Sequence, residues 1–248
     1  MNYLKYQPHI LLQKHIESYW VLETDSSSLK VPLFADATTD IFINIGNTLG
    51  NVSTYMQVAP GRMYMGGPAT SAHFFNCFPG NIFVGIRFKP GGLPLFYNVP
   101  LDAMVDRITE FQDKQLAIIL DIDELLPSRL DEHFLSKQKC THSAIRIADA
   151  VYHYRGQISV DMLAKKCHVS NRTLERYFYA HMGIGPKEFI SIVRFKHAML
   201  ALQNGSTKGE FATFAAEMGY YDQSHLIKEV KKRAGSKPSA IGLIPNLL

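Results

Sequence analysis

Hydrophobic and polar positions change rhythm along this chain. From Val31 to about Phe88, apolar and β-branched residues come in short runs, notably Asp40–Ile45 and Asn81–Phe88. Gly, Pro and Asn punctuate them at Gly46-Asn47, Gly50-Asn51, Ala59-Pro60-Gly61, Gly66-Gly67-Pro68, Pro79-Gly80-Asn81 and Pro90-Gly91-Gly92. That pattern predicts several antiparallel strands closing into a small barrel or sandwich. From Leu101 onward the period lengthens. Leu116, Ile119, Leu120 and Ile122, then Ile145, Ala148, Val151 and Tyr152, recur at the three- and four-residue spacing of helices. The fold class is therefore α+β, with strands first and helices after. The polar stretch Leu135–His142 marks the boundary, giving a domain over 1–135, a linker over 136–142 and a second domain over 143–248. Helices between Leu101 and Leu130, amphipathic about Leu116, Ile119 and Leu120, offer either a dimerisation surface or a cover for the barrel.

Downstream of the boundary the helical pattern becomes specific. Val160, Leu163, Ala164 and Cys167 fall at i, i+3, i+4 and i+7, one short apolar face, and Ser159 is placed to cap it. After His168-Val169-Ser170 a second helix opens at Asn171, with Leu174 and Phe178 on one face and Arg172 and Arg176 on another. Two short helices joined by a tight turn make a helix-turn-helix candidate. A similar unit follows. Phe211–Met218 stops at Gly219, and Asp222 is placed to cap a helix from Gln223 to Arg233 with Leu226 and Val230 turned inward. Between the units, Pro186 starts a long helix through Phe189, Ile192, Val193, Ala198 and Leu202, a spacer for the two readers.

Charge sharpens this picture. Residues 1–140 carry 11 Lys and Arg against 14 Asp and Glu, a net of −3, while residues 141–248 carry 15 against 8, a net of +7. A basic second half beside an acidic first half suits phosphate binding by one domain. With 248 residues, 46% hydrophobic and 19% charged, the chain can fill ordinary globular cores. Cys77, Cys140 and Cys167 are odd in number and lack C-x-x-C spacing, so neither a disulfide framework nor a zinc knuckle is expected. Met1–Trp20 lacks an apolar core of signal-peptide length, and no run approaches the roughly 18 apolar residues of a spanning helix. The expectation is a cytoplasmic protein with no membrane partner.

Residues from about His142 to Ile241 resemble the DNA-binding domain of the AraC/XylS family of transcription regulators. The pieces that carry the resemblance are Leu163-Ala164, Ser170–Phe178, Gly183-Ile184-Gly185-Pro186, Gly219–Leu226 and Gly235-Ser236-Lys237-Pro238. It implies an all-α domain of seven helices with two helix-turn-helix units. The DNA-contacting residues would be Asn171, Arg172, Thr173 and Arg176 in the first recognition helix, and Gln223, Ser224, His225 and Lys228 in the second. Arginine can bond guanine through two parallel hydrogen bonds, so the first helix is the stronger candidate reader. The chain departs from the family at Tyr220, where Phe is usual, at Ile227, where a small or polar residue is frequent, and at Gly209-Glu210-Phe211. Lys231, Lys232 and Arg233 read as a run facing phosphate or solvent.

In the first half, Gly66-Gly67-Pro68 and Val84–Gly92 resemble a cupin-like sensor domain. Residues 31–88 hold His73 as their only histidine and no H-x-H pair, so no metal or other cofactor is expected. Trp20, Phe34, Phe42, Tyr64, Phe74 and Phe83 either fill the core or line a ligand site. Alternation along Ile82–Phe88 groups Arg87 with Phe83 and Gly85, so Arg87 faces inward if Phe83 does. A buried guanidinium needs an anionic partner, either a ligand carboxylate or a structural Asp such as Asp40.

The expected function is a sequence-specific DNA-binding regulator, not an enzyme. Its partners would be double-stranded DNA, a small-molecule effector for which Arg87 is a contact candidate, RNA polymerase, and a second copy in a homodimer. The competing reading is an enzyme recruited to DNA by its second domain, such as a repair methyltransferase. It requires an activated cysteine, and Cys77 sits among Phe74, Phe75 and Phe78 with no cationic neighbour in sequence. A nucleoid-coating protein, indifferent to DNA sequence, is the third.

Overall fold

A computed structural model describes residues 1–25, 27–52, 56–120, 123–138, 144–205 and 211–238. Ten strands come first: β1 (Asn2–Tyr6), β2 (Ile16–Glu23), β3 (Leu29–Leu33), β4 (Thr39–Asn44), β5 (Gly50–Val52), β6 (Met56–Val58), β7 (Met63–Gly66), β8 (His73–Cys77), β9 (Ile82–Phe88) and β10 (Ile108–Glu110). They form an antiparallel six-stranded sheet, ordered β1-β2-β9-β4-β7-β10, and a four-stranded one, ordered β3-β8-β5-β6. The α+β class stands, and of the two forms expected, barrel or sandwich, the strands take the second, two sheets with no strand pairing between them among the described residues. The outer strand β3 carries Pro32, which has no N–H for a further strand to accept from.

Strict alternation in the strands sorts side chains to two faces of the large sheet. Val84, Ile86 and Phe88 of β9 face the same way as Tyr19, Val21, Ile41, Ile43, Met63 and Met65, into one core. Two helices cover that face. Helix α1 (Lys114–Ile119) contributes Leu116, and α2 (Leu126–Lys137) contributes Leu126, Leu130 and Phe134, all buried there. The amphipathic helices past Leu101 therefore cover the sheet, while Ile122 lies outside the described residues. The opposite face of the large sheet meets the small one through Phe42, Tyr64, Phe75 and Phe83, whose rings interlock at 4.6–6.4 Å between centroids.

Six helices follow: α3 (Ala144–His153), α4 (Val160–Lys166), α5 (Asn171–Met182), α6 (Pro186–Gln203), α7 (Phe211–Glu217) and α8 (Gln223–Ala234). The family resemblance implies a seventh helix; residues 239–248 lie outside the described ones, as do Gly209 and Glu210. Helix α2 continues through Lys137, into the segment read as a linker, and residues 139–142 of that segment lie outside the described residues.

The helices build two adjoining cores. Val151, Leu163, Leu174, Phe178 and Phe189 belong to the first, and Phe195, Ala198, Phe214, Tyr220, Leu226 and Val230 to the second. Helix α6 supplies side chains to both. Its 18 residues span about 27 Å at ~1.5 Å per residue, and packing at each end fixes it as a strut.

Candidate nucleic-acid interface

Local chemistry starts α4, α5 and α8 where the sequence places them. The Ser159 hydroxyl accepts from the Met162 N–H at 3.2 Å and opens α4, while Ser170 accepts from the Thr173 N–H at 3.2 Å and opens α5. Asp222 accepts from the His225 N–H at 2.7 Å and opens α8. The turns use left-handed residues, His168 (φ 54°) in the first and Gly219 (φ 76°) in the second. The two turns close alike: Val169 N–H donates to Ala164 and Tyr220 N–H donates to Ala215. The second then runs one residue further before its cap, Tyr220-Tyr221-Asp222 against Val169-Ser170.

On α5, Asn171, Arg172 and Arg176 are exposed at the N-terminal end, opposite buried Leu174 and Phe178. Neither arginine meets an acidic partner among the described residues; Arg176 lies over the Tyr177 ring at 6.0 Å. Asn171 is less free, because its amide donates to Asp161 of α4 at 2.6 Å. Thr173 is half-buried, and its hydroxyl accepts from Ser170 at 3.0 Å. On α8, Gln223, Ser224, His225 and Lys228 are all exposed. The His225 ring packs edge-on against buried Tyr220 at 5.3 Å, which fixes its position on the helix surface. Ile227 is half-buried, and Tyr221, just ahead of the cap, is 92% exposed.

The basic run that closes α8 does not all face solvent. Lys231 and Lys232 are exposed, but Arg233 is 1% exposed. Its Nε donates to Glu229 at 2.8 Å, Nη2 to the Ser191 hydroxyl at 3.0 Å and Nη1 to the Thr70 carbonyl at 3.1 Å, with Glu188 3.0 Å from Nη1. Burial pushes the Glu229 carboxyl up, but the hydrogen bond and charge of Arg233 outweigh it and hold the group below its ordinary value. The last carbonyls of a helix have no partner inside it. Here those of Lys232 and Arg233 accept from Ala72 N–H at 3.1 Å and Ala35 N–H at 3.0 Å, both in the strand domain. The first unit docks there too, since a Cβ on Gly183 at the end of α5 would come within 2.6 Å of the Leu101 carbonyl oxygen.

The segments that grip α8 also wall a cavity. About 160 Å³ lies between the sheets, bounded by Trp20, Phe42, Phe75, Asp36, Asp40 and Arg87 among others. Arg87 faces inward as alternation predicts, 9% exposed, and its partner is Asp40: Nε and Nη2 reach the carboxylate at 3.1 and 3.2 Å. Asp36 is a second partner, 3.4 Å from Nη1. Sequence reading missed Asp36, which lies between strands where alternation assigns no face. Burial weakens the Arg87 charge, but the two carboxylates more than restore it and keep the group protonated. An adjoining cleft of about 220 Å³ shares Phe34, Asp36 and Arg87 and is walled across the domain boundary by Phe195, Lys196 and Met199 of α6.

The cysteine that the enzyme reading requires is not activated. Cys77 is buried and burial pushes its thiol up to about 11, away from the thiolate. Among the described residues no group of three His, Cys, Asp or Glu side chains could hold a metal ion, and no helix is long and apolar enough to cross a membrane.

Residues 163–242 match the family described as helix-turn-helix domain, and residues 4–110 match a domain family of unknown function, DUF6597. The C-terminal domain is an AraC-type helix-turn-helix domain. The whole chain has the fold of ToxT from Vibrio cholerae, with a TM-score of 0.52 at 9% identity over 99% of this chain and 100% of that one. ToxT from strain O395 bound to (E)-4-(8-methylnaphthalen-1-yl)but-3-enoic acid gives 0.51 at 8% identity, each chain fully covered. The C-terminal domain of AraT, a response regulator from Geobacillus stearothermophilus, is 20% identical over 44% of this chain and 89% of that one, with a TM-score of 0.38. A comparison with curated proteins gives no sequence match. The AraC-type domain makes this a DNA-binding protein of the transcription-regulator class.

Proposed function

We propose that the protein is a sequence-specific transcription regulator whose DNA affinity is set by a small molecule held in its strand domain. The observation that carries this reading is the pair of capped recognition helices with their polar N-terminal faces exposed. Asn171, Arg172, Thr173 and Arg176 read one stretch of major groove, and Gln223, Ser224, His225 and Lys228 read the next. Arg172 and Arg176 are the principal base readers because they are exposed and uncommitted, while Asn171 and Thr173 are held by Asp161 and Ser170. The domain division is 1–135, 136–142 and 143–248.

The effector reading is supported by the cavity at Arg87 and by its shared walls with the α8 contacts. That ToxT, with the same fold, is seen bound to a small organic acid also supports it. The protein acts in the cytoplasm as a homodimer and addresses RNA polymerase from its DNA site; it is not an enzyme. Selection of bound fragments from genomic DNA, with and without a metabolite mixture, tests the reading. An enriched sequence whose recovery changes with metabolites is expected. Recovery of all fragments alike at fixed salt would replace it with sequence-indifferent coating of DNA.

A further inference from the structure

The cavity between the sheets is distinguished by its charge. Its inner end holds one guanidinium, Arg87, and two carboxylates, Asp36 and Asp40, with side chains only 10%, 9% and 17% exposed. Three Arg87 nitrogens already point at those carboxylates, and the Trp20 Nε1–H donates to Asp40 at 3.0 Å. One guanidinium faces two carboxylates, a formal excess of one negative charge, and burial together with the neighbouring Asp36 pushes the Asp40 carboxyl up despite Arg87, so the site favours a further positive charge.

The remaining charged groups do not remove that excess. Asp106 accepts from Thr70 and Ser71 and lies 3.2 Å from His73 Nε2, while Arg107 is exposed to solvent. The adjoining cleft adds one cation, Lys196, and one further anion, Glu17, to its lining, so the formal balance is unchanged.

An anionic ligand entering here would approach two carboxylates in order to reach a guanidinium that is already engaged. A cation would supply the missing counter-charge where the dielectric is low. The walls suit it as well: Trp20, Phe42 and Phe75 line the cavity with aromatic rings, whose faces attract cations.

We propose that this cavity binds a small organic cation, an amine or amidine carried on an apolar or aromatic body, with Asp36 as its counter-ion. The inference rests on the effector reading above and gives that effector a chemical class, the opposite in charge to the acid seen on ToxT. Arg87 then has a structural role, holding Asp36 and Asp40 at the cavity wall instead of contacting the ligand.

Calorimetric titration of the full-length protein, without DNA, with phenethylamine, phenethyl alcohol and phenylacetate tests the charge preference at constant ring size. The amine should bind about tenfold tighter than the alcohol, with no measurable binding of the acid. Asp36→Asn should bring amine and alcohol to similar affinity. Because Asp36 also bonds Thr38, a second variant guards against misfolding. Gly66 lines the cavity, and a Cβ there meets only Ile108 Cγ1 at 3.8 Å and the Asp40 carbonyl oxygen at 3.9 Å. Gly66→Leu should fill the space and abolish amine binding with both carboxylates in place.

Acid binding as tight as amine binding, equal binding of amine and alcohol, no binding of any probe, or amine binding that survives Gly66→Leu would each overturn the proposal. Fragment selection on the same preparations separates the two failures. A wrong ligand class leaves DNA site selection intact, whereas a wrong regulator reading abolishes selection and leaves amine binding intact.

Discussion

At the scale of single residues, Arg172 and Arg176, like Lys228 on α8, are exposed in the first half of a recognition helix with no acidic partner among the described residues, and the two arginines alone carry the planar fork that matches guanine. Replacing either with Ala should cost about 1–3 kcal/mol on the preferred site and relax selection at one base position. Lys231→Ala, in the last turn of α8, should weaken binding to all sequences alike. Fluorescence anisotropy on matched and mismatched duplexes distinguishes the outcomes; equal losses on both duplexes for Arg172→Ala would make it a phosphate contact. Asp106 supports a pH prediction. Burial raises its carboxyl, but bonds with His73, Thr70 and Ser71 outweigh this and hold it well below the ordinary carboxylate range. A group depressed in the folded state stabilises fully above its unfolded value, about pH 4, and loses that contribution as pH falls through the folded one. Asp106→Asn should therefore lower Tm at pH 7, and its gap from wild type should narrow below pH 4. A gap that stays constant to pH 2 would mean the carboxylate charge contributes nothing. These side chains were unequally legible in the sequence. Exposure of Arg172 and Arg176 follows from helical period, and the inward turn of Arg87 from strand alternation. Asp36 and Asp106 sit in connections, where no period assigns a face.

At the scale of elements, the helix starts were readable because each depends on contacts within a few residues. Ser159, Ser170 and Asp222 cap the helices they precede, and Gly219 turns the chain before α8. The end of α8 was not readable. In sequence Lys231-Lys232-Arg233 is a uniform basic run, yet Arg233 is buried by partners at Glu188, Ser191 and Thr70, all far along the chain. The choice between barrel and sandwich is open in the sequence for a similar reason: short apolar runs fit a barrel or two sheets equally, and only the packing shows the helices α1 and α2 covering the outer face of the large sheet. The Arg233 contacts join α8 to the strand domain, so their loss should be felt in both. Arg233→Met leaves Glu188 and Glu229 without their shared guanidinium and removes the donor to the Thr70 carbonyl. Breaking a buried ion pair from one side costs about 3–5 kcal/mol. Hydrogen exchange should accelerate at Ala35 and Ala72, whose N–H groups bond the last carbonyls of α8, while amides of α2 stay protected. Unchanged protection at Ala35 and Ala72 would show that the backbone contacts hold without the side chain.

At the scale of the whole molecule, the spacing of the two readers is fixed by packing and not by linker length. Helix α6 contributes Phe189, Ile192 and Val193 to one core and Phe195, Ala198 and Met199 to the other, so neither unit can swing without exposing buried rings. Both units also dock on the strand domain, through Leu101 against Gly183 and through Ala35 and Ala72 against α8. Successive major grooves on one face of B-DNA repeat every 34–36 Å or so, about 10–10.5 base pairs. A rigid pair therefore engages both grooves at one spacing only. Inserting about five base pairs between the two half-sites rotates the second away by half a turn, and inserting about ten restores the face but moves it one full repeat too far. Both insertions should reduce binding to that of a single reader, and Arg172→Ala should then remove most of what remains. Flexibly joined readers would lose binding at five and recover it at ten. Recovery at ten, measured on the selected site with footprints across both halves, would mean that the helical domain divides in solution despite the shared strut.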